Sequence, residues 1–167
     1  TTVKRYYSFC FAPARSVSTA IRRGKVATGV AVRIQDQGDA MELYLIRHGI
    51  AAERGTYAND DERPLTEEGR KRMRQVAKRL RHLGLTLDPI LSSPLTRAQQ
   101  TADVLLDAGF GPTLAIVDFL APGGSIEDWL NWLANQRQSS GSNITLVGHE
   151  PDLSSWAEQL VCGSTRG

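Results

Sequence analysis

The stretch Arg47-His48-Gly49 follows the apolar run 43–46 and combines a cation, an imidazole and a glycine. A neutral imidazole can attack an electrophile such as phosphorus, and an adjacent guanidinium can hold two phosphate oxygens in a bidentate fork. Gly49 would let the backbone turn sharply and approach a ligand closely. Taken alone, the tripeptide is weak evidence, because a histidine at a strand end more often caps or hydrogen-bonds than attacks.

Two later stretches add groups of the same kind. Ser92-Ser93-Pro94 is followed closely by Arg97, and Gly148-His149 follows the strand-like run 144–147. A transferring phosphoryl group spreads its charge over equatorial oxygens, so two guanidiniums and a second imidazole suit its recognition. The three stretches together predict a phosphate site built from Arg47, His48, Gly49, Arg97 and His149.

These groups follow segments that the sequence predicts to be strands, at 43–46, 89–91, 114–117 and 144–147. Between the strands, apolar residues recur at helical spacing, as do Met73, Val76, Ala77 and Leu80. Thr66 is a candidate N-cap for that helix. Ser93 is a candidate N-cap for a second helix that would begin at Pro94, and further helices are expected after Ser125 and from Pro151.

Strands that alternate with helices predict an α/β fold with a mainly parallel sheet and helices on both faces, a three-layer α/β/α sandwich. In such a sheet, ligands bind at the carboxyl ends of the strands. Three of the four predicted strands end in one of the stretches described above. Groups that are far apart in sequence can therefore converge on one crevice.

Composition limits the class of protein. A chain of 167 residues can form one domain plus, at most, an appendage. No apolar run is long enough to span a bilayer, which argues against an integral membrane protein. Cys10 and Cys162 lie far apart with no metal-ligand spacing, which argues against a disulfide framework or a zinc site and fits a reducing compartment.

The first 40 residues differ from the remainder in charge. They carry seven Lys/Arg and two acidic residues, a net of +5, so the +2 of the whole chain leaves −3 for residues 41–167. The basic pI is therefore no nucleic-acid signature of the whole protein. We expect residues 1–40 to be a basic extension, similar in composition to a transit peptide. It would be either poorly ordered or an added edge strand from the partly alternating stretch Lys25–Gln35.

The motifs resemble those of the histidine phosphatase superfamily, also called the phosphoglycerate-mutase-like family. The matching stretches are Arg47-His48-Gly49, Ser92-Ser93-Pro94 with Arg97-Ala98 and Thr101-Ala102, and Gly148-His149. Arg63-Pro64-Leu65-Thr66 and the near absence of insertions resemble the SixA branch, the phosphohistidine phosphatases. The resemblance covers residues 41 to about 162 and implies a phosphoglycerate-mutase-like fold. Members of this branch usually continue with a further strand or two, so the domain 41–167 is expected either to lack its last strands or to have them replaced by residues 1–40.

The resemblance implies a role for each site residue. His48 would be the nucleophile that becomes phosphorylated, while Arg47, Arg97 and His149 would bind the phosphoryl oxygens. Water would then hydrolyse the phosphoenzyme. No metal or other cofactor is implied, and the sequence lacks a ligand cluster.

The general acid is less well marked. Asp118, at the end of the third predicted strand, is the first candidate, and Asp60 and Asp61 are alternatives. For each of them a cap or a surface carboxylate is at least as good an interpretation as catalysis. An imidazole leaving group departs more readily than an alkoxide, so phosphohistidine cleavage needs less help from an acid.

The 52 positions from Arg97 to His149 leave no room for a lid, which suits a phosphorylated side chain on another protein. We therefore expect a cytoplasmic, metal-independent phosphohistidine phosphatase of signal transduction. Its partner would be a phosphohistidine-bearing protein such as a phosphotransfer domain, with no nucleic acid or membrane as partner. Two alternatives stay open, a broad phosphatase for small phosphomonoesters and a non-catalytic phosphate-binding module.

Overall fold

The computed structural model describes residues 16–18, 29–36, 39–112, 114–136 and 143–162. Within these ranges the strands are β1 (Ser16–Ser18), β2 (Gly29–Asp36), β3 (Asp39–Arg47), β4 (Ile90–Ser92), β5 (Leu114–Ile116) and β6 (Asn143–Gly148). The α-helices are α1 (Glu67–His82), α2 (Thr96–Asp107), α3 (Ile126–Gln136) and α4 (Asp152–Cys162). Two short 3-10 helices, Asp60–Glu62 and Asp118–Leu120, precede α1 and α3. None of these helices is long and apolar enough to cross a membrane.

The described strands form one sheet with the order β1-β2-β3-β6-β4-β5. Strands β3, β6, β4 and β5 are parallel, whereas β1 and β2 are antiparallel to their neighbours. The predicted α/β fold with a mainly parallel sheet is confirmed.

Part of the leading segment belongs to this sheet. β2 pairs with β3 over its whole length, from Gly29 opposite Ile46 to Asp36 opposite Asp39. The strand expected to begin after Met41 therefore begins at Asp39. Residues 1–15, 19–28 and 37–38, which include the first part of the stretch Lys25–Gln35, lie outside the described residues, and so do residues 163–167.

Side chains alternate along β3, so its two faces pack against different helices. Tyr44 and Ile46 join the core beneath α1 and α2. Leu43 and Leu45 join the opposite core beneath α3 and α4, where the fully buried Trp129 lies. The predicted three layers are therefore present, with α1 and α2 on one face of the sheet and α3 and α4 on the other.

Helix α1 begins and ends at signals present in the sequence. Thr66 caps it, accepting a 2.9 Å hydrogen bond at Oγ1 from the Gly69 N–H. Gly84 follows the helix with φ of +72°, the left-handed conformation that commonly ends helices. Of the predicted apolar stripe, Met73, Ala77 and Leu80 are buried and Val76 is partly buried.

The carboxyl ends of β3, β6 and β4 meet in one place. The His48 N–H donates to the Gly148 carbonyl at 3.1 Å, and the Ser93 N–H donates to the Val147 carbonyl at 3.0 Å. After β3 the chain passes to α1 on one face, and after β6 it passes to α4 on the other. The crevice between β3 and β6 is therefore a topological switch point, where ligands of α/β proteins bind.

Candidate active site

His48 is the first residue after β3, and its ring is fixed by its own turn. Nδ1 lies 2.7 Å from the carbonyl oxygen of Gly49. Because a carbonyl can only accept, Nδ1 carries the proton and donates it. Burial, opposed in part by this hydrogen bond and aided by the charges of Arg97 and Arg47, lowers the pKa of His48 from 6.5 to about 4. The imidazole is therefore neutral near pH 7, and Nε2 carries the lone pair that a nucleophile needs.

His149 follows β6 and lies beside His48, with ring centroids 5.1 Å apart at an interplanar angle of 54°. Its side chain is buried, and Nε2 is 2.8 Å from the hydroxyl of Ser93. Burial, followed by the proximity of His48 and Arg97, lowers the pKa of His149 from 6.5 to about 3. The second imidazole is thus also neutral in the free enzyme.

Ser93 has a role other than the one its position predicts. Helix α2 begins at Thr96 rather than at Pro94, and its N-cap residue Leu95 makes no side-chain capping bond. The Ser93 hydroxyl accepts a 3.3 Å hydrogen bond from the Leu95 N–H and contacts His149. The capping prediction was wrong because the helix begins two residues later than predicted, and the hydroxyl contacts the His149 ring instead.

Arg97 lies in the first turn of α2 with only 3% of the residue exposed. Nη1 donates to the Asp60 carbonyl at 2.8 Å, and Nη2 is 3.1 Å from Asp60 Oδ2. Burial, reinforced by the charge of Arg63, lowers its pKa. The buried Nε–H has no hydrogen-bond partner among the described residues. An unsatisfied buried donor of this kind is costly.

Arg47 is the last residue of β3, in register with Gly148 of β6. Its charge contributes to the lowered pKa of His48, which agrees with a position beside the nucleophile. Arg47, His48 and His149 are therefore grouped at the ends of two adjacent strands, as the sequence predicts.

Gly49 is required for space rather than for an unusual backbone angle. A Cβ atom there would lie 2.8 Å from Met73 Cγ and 3.3 Å from Leu65 Cδ2. We expected Gly49 to permit a sharp turn, but its φ is not in the left-handed range. The turn after His48 packs so closely against α1 that only glycine fits without displacing a neighbour.

Two further residues at the site, Arg63 and Thr101, were not among the candidates from the sequence. Arg63 is 7% exposed, with Nε donating to Asp60 Oδ1 at 2.9 Å and Nη1 donating to the Ala52 carbonyl at 2.7 Å. Asp60 bridges Arg63 and Arg97, and Thr101 accepts the Gly49 N–H. Arg63 and Thr101 lie in motifs that we used only to recognise the family, which was the available signal for them.

No hydrogen bond joins a candidate acid to either imidazole in the described structure. Asp118 is exposed and is the first residue of the 3-10 helix that follows β5. Asp61 is exposed, and its main-chain N–H donates to the Asn59 side chain. The carboxylate of Asp60 is held by two arginines, and the hydrogen bond from Arg63 is the main reason that its pKa is lowered.

In the described part of the chain, no group of three or more His, Cys, Asp or Glu side chains could hold a metal ion.

Comparison with other sequences places this site in a known family. The model of the histidine phosphatase superfamily (branch 1) matches residues 43–118. An uncharacterized protein of Picosynechococcus sp. is 49% identical over 125 residues, which cover 75% of this chain and 76% of that protein. The serine/threonine-protein phosphatase Pgam5 of Drosophila grimshawi is 40% identical over 68 residues, but this chain covers only 23% of its length.

Solved structures agree with this placement. The protein histidine phosphatase SixA, in complex with tungstate, superposes with a TM-score of 0.67 at 26% identity, covering 76% of this chain and 81% of that one. SixA of Agrobacterium tumefaciens superposes with a TM-score of 0.61 at 28% identity, covering 70% and 74%. The chain therefore belongs to the histidine phosphatase superfamily, is of the SixA type, and is a phosphatase.

Proposed function

We propose that this phosphatase removes phosphate from a phosphorylated histidine of a partner protein, through a phosphohistidine formed on His48 and without a metal. One observation carries the proposal. The imidazole of His48, neutral and committed through Nδ1–H to Gly49, lies near the buried guanidinium of Arg97, whose charge contributes to the lowered pKa of His48. The first supplies a nucleophilic lone pair, and the second supplies a donor for a phosphoryl oxygen.

In the first step, Nε2 of His48 attacks phosphorus, and the bond from phosphorus to the substrate imidazole breaks. The leaving ring carries a proton on its other nitrogen, so it departs as neutral imidazole with the bonding electron pair. Arg47, Arg97 and His149 hold the equatorial oxygens. The Nδ1–H bond to the Gly49 carbonyl stabilises the positive charge that the phosphorylated His48 ring acquires.

In the second step, water attacks phosphorus, the bond to Nε2 breaks, and its electron pair returns to the ring of His48. Both protons of the water stay on the phosphate, which leaves as its monoanion. Neither step draws a proton from a carboxylic acid. This route is compatible with the exposed position of Asp118 in the 3-10 helix that follows β5.

The open entrance to the crevice supports a protein substrate. His48 remains partly exposed, and the described connections between α2 and α3 are short turns. A long insertion that could close over a small substrate is not found in this described region, and a phosphorylated side chain on a protein surface needs an open entrance. The solved protein with a TM-score of 0.67 is itself called a protein histidine phosphatase, which favours the same class.

The proposal is tested by single-turnover dephosphorylation of a phosphohistidine protein beside a phosphoserine peptide and a sugar phosphate. We expect fast turnover of phosphohistidine, slow turnover of both esters, and transient acid-labile labelling of the enzyme by phosphate. The variant His48→Ala should lose turnover and labelling. The matched control is His82→Ala on α1, because His82 is exposed and is the one other histidine besides His48 and His149.

Full activity of His48→Ala would refute the mechanism. Equal or faster ester cleavage by the wild type would favour the broad phosphomonoesterase instead, and Asp118→Asn should then slow the ester reaction selectively. Tight phosphate binding without turnover of any substrate would favour a binding module.

A further inference from the structure

Asp60 is the one carboxylate in the described part of the chain that contacts two arginines of the crevice. Oδ2 lies 3.1 Å from Arg97 Nη2, and its carbonyl accepts from Arg97 Nη1 at 2.8 Å. Oδ1 accepts from Arg63 Nε at 2.9 Å, and Oδ2 accepts from Arg63 Nη2 at 3.5 Å. Asp60 thus bonds to the guanidiniums of both Arg63 and Arg97, although it lies 37 positions from Arg97 in the sequence.

These bonds determine the orientation of the Arg97 guanidinium. A guanidinium is a rigid planar fork, so fixing both terminal nitrogens on one residue fixes the plane. Nη1 and Nη2 are each bonded to Asp60, whereas Nε–H remains without a partner in the described residues although the side chain is almost wholly buried. Asp60 therefore fixes the plane and the position of the Arg97 guanidinium.

The loop that carries Asp60 is itself anchored. Asn59 caps the 3-10 helix by accepting the Asp61 N–H at 3.0 Å, and Arg63 ties the loop back through the Ala52 carbonyl at 2.7 Å. The half-exposed carboxylate is consequently held from two directions. Its hydrogen bond with Arg63 lowers the pKa of Asp60, so that it is ionised near neutral pH and is a poor proton donor.

We propose that Asp60 is a positioning residue of the phosphatase reaction, which holds Arg97, and Arg63 beside it, in the orientation that binds the transferring phosphoryl group. This inference rests on the proposed function for the identity of the anion. It differs from the assignment of Asp60 as a general acid, because the carboxylate acts through the guanidinium and does not touch the leaving group.

The test compares Asp60→Asn with Glu62→Gln. Both substitutions replace a carboxylate of the same 3-10 helix by its amide, but Glu62 is exposed and contacts neither arginine through its side chain in the described structure. Binding of inorganic tungstate and of orthophosphate is measured by calorimetry, beside kcat and KM on a phosphohistidine protein and on an aryl phosphate. Urea unfolding of each variant checks that it is folded.

We expect Asp60→Asn to bind tungstate about 10-fold more weakly and to lose about 100-fold in kcat/KM on both substrates, since misplacing a catalytic group by about 1 Å costs this much. Glu62→Gln should match the wild type, and Asp60→Glu should recover part of the loss. Unchanged or tighter oxyanion binding in Asp60→Asn would overturn the proposal, as would a loss confined to the aryl phosphate, which indicates a proton donor. Failure of the proposed function would appear separately, as a wild type that binds oxyanions but does not turn over phosphohistidine.

Discussion

The main-chain N–H of Gly49 donates a 3.0 Å hydrogen bond to Oγ1 of Thr101, 52 residues later in the chain. The same hydroxyl donates to the carbonyl of Arg97 at 2.7 Å. One buried threonine therefore joins the turn that carries the nucleophile to the helix that carries the phosphate-binding arginine. This threonine therefore contributes to the relative position of His48 and Arg97.

Replacing Thr101 by Val should remove the hydrogen bonds of its hydroxyl to Gly49 and Arg97, while the side-chain volume stays almost the same. The Gly49 N–H would lose its acceptor, so we expect a loss of about 1–3 kcal/mol in the free energy of unfolding. We also expect kcat/KM to fall by about 10-fold or more, because the turn is no longer tied to α2. The control is Thr145→Val in β6, a buried threonine whose Oγ1 has no partner in the described part of the chain. Equal effects of the two substitutions on urea unfolding and on turnover would contradict the assignment.

Replacing Ser93 by Ala should release the ring of His149. The buried Nε2 atom would lose its 2.8 Å contact, so we expect kcat/KM to fall by about 10- to 100-fold while the protein stays folded. Ser92→Ala is the matched control, because Ser92 is equally buried and its hydroxyl donates to the Ser93 carbonyl instead. If Ser92→Ala reduced turnover as much as Ser93→Ala, local packing and not the contact with His149 would be responsible.

Replacing Gly49 by Ala should test whether space explains this glycine. The added Cβ would press on Met73, so we expect a destabilisation of about 1–3 kcal/mol and reduced turnover. Removing the obstacle in the double variant Gly49→Ala/Met73→Ala should cost less than the sum of the two single changes, with a coupling of about 1 kcal/mol in a double-mutant cycle of unfolding free energies. Strict additivity would rule out the steric explanation.

The two neutral imidazoles make stability depend on pH. Folding lowers the pKa of His48 to about 4 and of His149 to about 3 from 6.5, so the folded state favours the uncharged rings. Their contribution is fully present above pH 6.5 and is lost as the pH falls through 6.5 toward 4 and 3. Between pH 7 and pH 5, where few carboxylates titrate, we expect each ring to remove on the order of 1–2 kcal/mol from the free energy of unfolding. Urea unfolding at a series of pH values measures this dependence. The unfolding free energy of the double variant His48→Asn/His149→Asn should change less with pH than that of the wild type. An identical pH dependence in the two proteins would contradict these pKa shifts.

Much of the fold follows from local patterns in the sequence. The strand before Arg47, the apolar stripe of α1 and its cap at Thr66 each depend on residues within a few positions of one another, and each is found in the structure. The grouping of Arg47, His48 and His149 also follows, because parallel strands present their carboxyl ends at one edge. Adjacent strands β3 and β6 realise this arrangement.

Other features depend on partners that local spacing does not specify. Ser93 has the neighbours of a helix cap, and only the position of His149, 56 residues away, gives its hydroxyl another role. The bridge from Asp60 to Arg97 joins a polar loop to a helix, and neither sequence pattern indicates the other. Gly49 could be recognised as necessary, but the reason, contact with Met73, required the packing of α1 against the turn.

The pairing of β2 with β3 has a consequence for shortened versions of this protein. The strand that leads to His48 is hydrogen-bonded on both sides, by β2 along one and by β6 along the other. A shortened protein starting at Met41 would keep all the groups of the crevice but would leave a row of unsatisfied main-chain amides and carbonyls along an apolar strand. Such a strand is a template for pairing with other copies. Strand β2 therefore covers the main-chain edge of the strand that positions His48.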